Sequence, residues 1–225
     1  MKSGSSKQTY ERKSQMKLII FGASRGVGRL LTEFALAEGH QVTAVARNIS
    51  GLNLNHASLN VVAGDVTNAT FVEQAIKGQE MVFCTVSSRE RSVGATLSSA
   101  AARNITQAMD AQGVRRLMFV SIWGVLGEKA SNPLAAMNLW GLKKAFPAAF
   151  EDCRRALDEI QKYDWEWIAV RPVRLTNGKR TGHYRIALEG LPEGGFLISR
   201  ADVADFMLKQ ASSDEYVHKI PAIAY

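Results

Sequence analysis

A chain of 225 residues, 46% of them apolar, suits one large domain with a full hydrophobic core, and no stretch reaches the roughly 18 apolar residues of a membrane span. Two cysteines, Cys84 and Cys153, exclude a disulfide framework and a cysteine metal site, and read as a reduced, cytoplasmic chain. The formal charge of +7 favours an anionic ligand; with no basic helix, zinc-finger spacing or aromatic strand pair, no nucleic-acid partner is expected.

Residues 1–15, MKSGSSKQTYERKSQ, carry Lys2, Lys7, Arg12 and Lys13 against Glu11 and have no apolar h-region, so they read as a flexible basic tail rather than a signal peptide. MKLIIF (16–21) is a short apolar strand, and RLLTEFALAEG (29–39) has helical apolar spacing that stops at Gly39. HQVTAVAR (40–47) and LNVVAGDV (59–66) are further strands, followed by a helix over NATFVEQAIKG (68–78). EMVFCTV (80–86) is a strand, ATLSSAAARNITQAMDAQG (95–113) a long helix, and RRLMFVSI (115–122) a strand. FEDCRRALDEIQKY (150–163) is helical and leads into the strand WEWIAVR (165–171). Beyond it, TGHYRIALEG (181–190) reads as a strand, SRADVADFMLKQAS (199–212) as a helix capped by Ser199, and YVHKIPAI (216–223) as a closing strand. Near-continuous Val, Ile, Leu and Phe strands are those buried on both faces. Their alternation with helices predicts an α/β, doubly wound, mostly parallel sheet with helices on both faces. The expected organisation is one domain over 16–225, with a short C-terminal substrate or lid region.

The turn FGASRGVG (21–28) stands between the first strand and the first helix, where doubly wound folds bind ligands. Gly22 allows a tight turn, Gly26 lets backbone approach a ligand without a Cβ in the way, and Gly28 lets the helix pack closely on the sheet. The helix that follows offers unpaired N–H groups to a pyrophosphate, and Ser24 can add a hydroxyl donor. The spacing is neither G-x-G-x-x-G nor a phosphate loop ending in Lys-Ser or Lys-Thr, so its position carries the dinucleotide reading.

At the end of the second strand an NAD site usually places a carboxylate for the ribose 2′-hydroxyl. This chain has Arg47 there, and Arg25 in the glycine loop; two guanidinium groups with no nearby acid favour a 2′-phosphate, hence NADP(H). Asp65 has two readings: an acceptor for the adenine amino group with Val66 against the ring, or a cap for the helix beginning at Asn68.

FGASRGVG, VARN, AGDVTN, FVSIWG, WEWIAVRPVRLTNG and ISRADVADFML together resemble the short-chain dehydrogenase/reductase superfamily. More narrowly, residues 16–212 look like its small atypical members, the NAD(P)H-binding reductases of the flavin and biliverdin reductase type, and the resemblance implies a Rossmann-like domain. It assigns Gly22, Arg25, Gly26, Val27 and Gly28 to the cofactor loop, Arg47 to the 2′-phosphate, and Asp65 with Val66 to adenine. It implies that Cys84, Thr85 and Val86 border the ribose, that Ser121 lies near the nicotinamide, and that Pro172, Val173 and Arg174 close over that ring.

The superfamily's usual reaction needs a Tyr-x-x-x-Lys pair, in which the lysine lowers the tyrosine pKa. No tyrosine of this chain has a lysine four residues on. Phe150 stands near the tyrosine's place and Cys153 near the basic residue's place. Beside Arg154 and Arg155 the Cys153 thiol reads either as activated or, more plainly, as a small buried residue of an amphipathic helix. A flavin or quinone, however, can accept hydride and take its proton from water. The expected activity is hydride transfer from NADPH to a planar flavin-like or quinone-like acceptor, with Ser121 orienting it. The alternative is a non-catalytic NADP(H)-binding redox sensor or assembly protein with a protein partner. Trp123, Met137 and Trp140, with Leu139 and Phe146, are candidates for an apolar substrate cleft. Lys143, Lys144 and His183 read as surface residues, and Asp202 and Asp205 as favourable charge at a helix start. The chain is expected to be a monomer or dimer.

Overall fold

The computed structural model describes residues 15–86, 96–128 and 133–225; nearly all of the basic tail falls outside these. The first half runs β1 (Lys17–Phe21), α1 (Gly26–Ala37), β2 (Gln41–Ala46), β3 (Leu59–Ala63), α2 (Ala69–Ile76), β4 (Met81–Cys84), α3 (Leu97–Gln112) and β5 (Arg116–Val120). The second half runs α4 (Pro133–Ala145), α5 (Pro147–Ile160), β6 (Glu166–Pro172), β7 (Arg174–Thr176), β8 (Arg185–Ala187), β9 (Leu197–Ser199), α6 (Arg200–Lys209) and β10 (Ala222–Ala224).

Eight strands form one sheet in the order β3-β2-β1-β4-β5-β6-β10-β8, parallel except for β8, which pairs antiparallel with β10. The order reverses between β1 and β4. Chain leaving these two neighbours therefore departs in opposite directions, and a crevice opens at their carboxyl ends. The doubly wound, mostly parallel, Rossmann-like sheet expected from the alternation is thus present.

Period-two alternation along β1 feeds two cores. Leu18 and Ile20 pack with Leu31 and Ala35 of α1 and Val203 and Met207 of α6. Ile19 and Phe21 pack with Ile105 and Met109 of α3 and Ala156 and Ile160 of α5. Burial on both faces fails only at the edge: Leu59, Val61 and Val62 of β3 are half-exposed because one side of that strand has no neighbour.

The second half departs from the expectation in detail. Only Arg185–Ala187 and Ala222–Ala224 pair as strands within the two late stretches read as such. β7 and β9 form a separate parallel pair, and the apolar stretch after Trp123 contains helix α4. α5 begins at Pro147, a residue suited to the first helical turn because its missing N–H would be unpaired there anyway. Asp152, fully buried on α5, reaches across to α3. It accepts hydrogen bonds from Ser98 N (2.7 Å), Ser99 N (3.1 Å) and Ser99 Oγ (2.6 Å). It does for α3 what that helix's own N-cap, Thr96, does not.

Candidate functional site

The glycine turn is held from two sides. Gly22 N and Ala23 N both donate to Val45 O of β2, at 2.9 and 3.1 Å. From the other side Thr85 Oγ1 donates to Phe21 O (3.0 Å) and Gly22 O (3.3 Å). Gly22 adopts φ +90°, and a Cβ there would stand 2.7 Å from Thr85 Oγ1. A Cβ on Gly28 would collide with the Gly22 carbonyl and lie 2.5 Å from Thr85 Oγ1. Gly28 therefore serves close packing, as its place in the motif implies, while Thr85 is the buttress of the loop.

Gly26 differs. Its φ is +61°, and the nearest atoms to a Cβ there are Cδ and Nε of Arg200, both 3.7 Å away. Bare backbone thus lies against the side chain of Arg200. Arg25, the exposed N-cap of α1, is extended and makes no capping hydrogen bond, and no acid occupies the first turn. Among the described residues, no side chain caps the first N–H groups of α1. Cations at a helix N-terminus are unfavourable by about 0.3–1 kcal/mol each in the absence of an anion.

Arg47, exposed, follows β2, and no ion pair engages it among the described residues. Its charge reaches Asp65, whose carboxyl lies below the ordinary carboxylate range chiefly because Thr67 N and Thr67 Oγ1 donate to Oδ1 at 2.9 and 2.8 Å, with Arg47 a smaller contributor. Asp65 thus shapes a turn, and the cap of α2 is Asn68, whose Oδ1 accepts from Phe71 N (3.1 Å). The helix-cap reading of Asp65 is corrected on that ground. Val66 is buried in the α2/α3 core and anchored by Asn104 Nδ2 to its carbonyl (2.9 Å), so it has little surface left for a ring.

Cys84 has no accessible surface, and burial pushes its thiol up to about 12; of the three residues expected at the ribose, Thr85 and Val86 are half-buried. Ser121 follows β5 with its N–H on Val170 O (2.8 Å); its hydroxyl is buried and, among the described residues, has no hydrogen-bond partner. Pro172 and Val173 are buried and Arg174 is exposed at the start of β7.

The three cleft candidates do not converge. Trp123 is buried beside Leu139, whereas Met137 and Trp140 are 62% and 61% exposed. Among the described side chains of α4, Leu139 is the buried one, and Met137 and Trp140 are exposed; Lys144 Nζ lies 4.1 Å from the Trp140 ring centroid. A cavity of about 660 Å³ lies nearby, between residues Gly124–Gly127 and the Phe150, Glu151, Arg154 and Asp158 side of α5.

Cys153 is 3% exposed, and burial pushes its thiol up to about 11. Arg154 pairs with Glu151 (2.9 Å) and Asp158 (3.0 Å), and Arg155 with Glu151 and Asp152, so neither activates the thiol. Tyr184 and Tyr225 donate to Asp205 (2.8 Å) and Asp202 (2.6 Å). Those two aspartates do more than favour a helix start. Asp202 also accepts from Thr181 N, Thr181 Oγ1 and Gly182 N, each at 2.8 Å, and Ser199 Oγ caps Asp202 N (2.9 Å), as the sequence implied. Asp205 pairs with Arg180 and Lys209.

Two features escaped the sequence reading. Arg200 was read only as part of a helix start, yet it lies over the glycine loop with Asn177 as partner; a cation at the first position of α6 was the available signal. The fully buried Arg171 pairs with Glu128 and donates to the carbonyls of Ile220 (2.7 Å) and Leu188 (3.0 Å). An arginine inside an apolar strand marked it.

A glycine turn at the β1/β4 switch point, at a helix start with Arg25 in it and Arg200 over it, defines a dinucleotide-binding domain. Bare Gly26 backbone and the orphaned Ser121 hydroxyl fit such a ligand. The NAD(P)H-binding family matches residues 22–214, and the chain belongs to that family. NAD(P)H is accordingly its cofactor.

Uncharacterized proteins of Mycobacterium bovis and Mycobacterium tuberculosis are 32% identical over 106 residues, spanning 47% of this chain but 12% of theirs. Among solved structures, a short-chain dehydrogenase/reductase from Veillonella parvula in complex with NADP is 21% identical with a TM-score of 0.77, covering 94% of this chain and 95% of that one. ChuY, an anaerobillin reductase from Escherichia coli O157:H7, is 23% identical with a TM-score of 0.73, covering 92% and 96%. Both share the fold. Among the described residues, no helix is long and apolar enough to cross a membrane.

Proposed function

We propose that the chain is an NADPH-dependent reductase that delivers hydride to a planar, flavin-like or quinone-like acceptor. The preference for NADPH is carried by one observation: an exposed arginine, Arg47, follows β2 where an NAD site would present a carboxylate. Gly22, Ser24, Arg25, Gly26, Val27 and Gly28 hold the pyrophosphate end, Arg47 the 2′-phosphate, and Thr85 and Val86 the ribose side. Asp65 keeps Oδ2 for adenine, since Thr67 occupies Oδ1.

When bound, the reduced nicotinamide supplies the hydride. Ser121, whose hydroxyl no group engages among the described residues, orients a carbonyl or ring amide beside it. Among the described residues, those following β5 and β6, Ser121 to Trp123 and Val173 to Arg174, include no acid that titrates near neutral pH. The acceptor therefore draws its proton from water. That restricts it to molecules whose reduced anion is stable in water, such as quinones and flavins, and disfavours simple ketones.

Steady-state NADPH oxidation with flavins, quinones and simple carbonyls tests this. Turnover is expected with the first two classes and not the third. Tight NADPH binding without turnover on any of them refutes the reductase reading. It leaves an NADP(H)-dependent sensor or assembly protein, a reading favoured by the outward-facing Met137 and Trp140. NADPH-dependent capture of a protein partner would then be expected.

A further inference from the structure

We infer that Arg200 clasps the cofactor's pyrophosphate from across the glycine loop, with Asn177 holding the guanidinium in place. This rests on the dinucleotide reading of the loop and adds a residue from the far end of the chain to it. The position is the first observation. A Cβ on Gly26 would stand 3.7 Å from both Cδ and Nε of Arg200, ordinary van der Waals distance, so the Arg200 side chain lies directly over this loop glycine, whereas Gly22 and Gly28 are packed against Thr85.

The partner is the second. Arg200 Nη1 donates to the neutral Asn177 Oδ1 at 2.7 Å, and no carboxylate pairs with Arg200 among the described residues. Among the described residues, the other arginines that are at least half-buried each pair with an acid: Arg29 with Glu33, Arg116 with Glu166 and Asp214, Arg155 with Glu151, and Arg171 with Glu128. A half-buried guanidinium given only a carboxamide keeps most of its donors and its full charge for an anion.

The support is the third. Ser199, the preceding residue, caps α6 through Asp202 N (2.9 Å) and is fully buried. Asp202 gathers donors from Thr181, Gly182 and Tyr225. The backbone that carries Arg200 is thereby fixed relative to the segment that carries Asn177. Arg25 is an uncompensated cation at the start of α1, whose first turn holds no acid, whereas Arg200 shares the first turn of α6 with Asp202.

The test is calorimetric affinity at one salt concentration for NADPH, NADH and adenosine 2′-monophosphate, which lacks the pyrophosphate. Arg200→Gln should weaken NADPH and NADH by the same factor, about 10- to 100-fold, as expected for loss of a charge-assisted contact. It should leave adenosine 2′-monophosphate unchanged. Asn177→Ala and Arg200→Lys, which disturb the fold least, should show the same pattern with a smaller factor. Arg47→Ala should do the reverse, weakening NADPH and adenosine 2′-monophosphate but not NADH. Equal affinities in wild type, Arg200→Gln and Arg200→Lys would overturn the assignment, as would losses confined to the two 2′-phosphorylated ligands. If wild-type protein binds neither dinucleotide, the loop reading itself fails, a result separate from the clasp.

Discussion

Replacing Arg47 by alanine should separate the two nicotinamide cofactors. The side chain is exposed after β2, so its contact with a 2′-phosphate keeps water on one side. A hydrogen bond between charged groups contributes about 1.5–3 kcal/mol in good geometry, and solvent exposure lowers this, so a net loss of about 1–2 kcal/mol is expected. That corresponds to NADPH binding about 5- to 30-fold weaker, with NADH changed by less than about twofold. Arg47→Asp should weaken NADPH further, through repulsion, while offering an acceptor to a 2′-hydroxyl. Titration calorimetry on wild type and both variants at one ionic strength gives all the needed affinities. A control lies in the neighbouring carboxylate: Asp65 should keep its lowered pKa in Arg47→Ala, since Thr67 supplies the larger share of that shift. Equal losses for NADPH and NADH would refute the reasoning, because they would make Arg47 a general support of the site rather than a reader of the phosphate.

Asp152→Ala strands three buried donors at the start of α3 and should cost about 3–5 kcal/mol, seen as a melting temperature lower by about 6–20 °C; a shift under about 2 °C would show that the cap is dispensable. Burial alone would raise the pKa of Asp202, but hydrogen bonds from Tyr225, Gly182 and Thr181 outweigh it and hold the carboxyl below the usual carboxylate range. Its contribution to stability is therefore complete above about pH 4, the ordinary carboxyl value, and is lost as pH falls through the folded pKa. Thermal melts of wild type should fall more steeply below that pH than melts of Asp202→Asn, and parallel curves would contradict the linkage. Cys84 and Cys153, with thiols pushed up to about 12 and about 11, should both resist iodoacetamide at pH 8 until the protein unfolds, as read by mass spectrometry.

The strands β1 to β6 were legible because each is a run of apolar residues long enough to be recognised against its glycine-bounded neighbours. β7 and β9 were not, since three residues such as RLT and LIS carry no period. The glycine loop was legible by type and place, and Gly22 and Gly26 do adopt positive φ. The role of Thr85 was not, because its partners Phe21 and Gly22 lie more than sixty residues away and meet it only when β1 pairs with β4. Asp152, an acid within the apolar stripe Ala149, Cys153 and Ala156, was not legible as a cap, because its targets on α3 meet it only in the fold. The cleft reading of Trp123, Met137 and Trp140 failed because composition cannot say which way a helix turns, and Leu139 decided it for α4.

Because Thr85 Oγ1 bridges the Phe21 and Gly22 carbonyls, and Gly28 lies against that same Gly22 carbonyl, the loop has its final shape before any dinucleotide arrives. Ordering a loop on binding would remove about 1–2 kcal/mol of affinity for every residue fixed. Here that loss has already been met during folding. Association should accordingly show no slow rearrangement phase, and its rate should fall with ionic strength, as expected when an anion is drawn to a rigid, positively charged crevice.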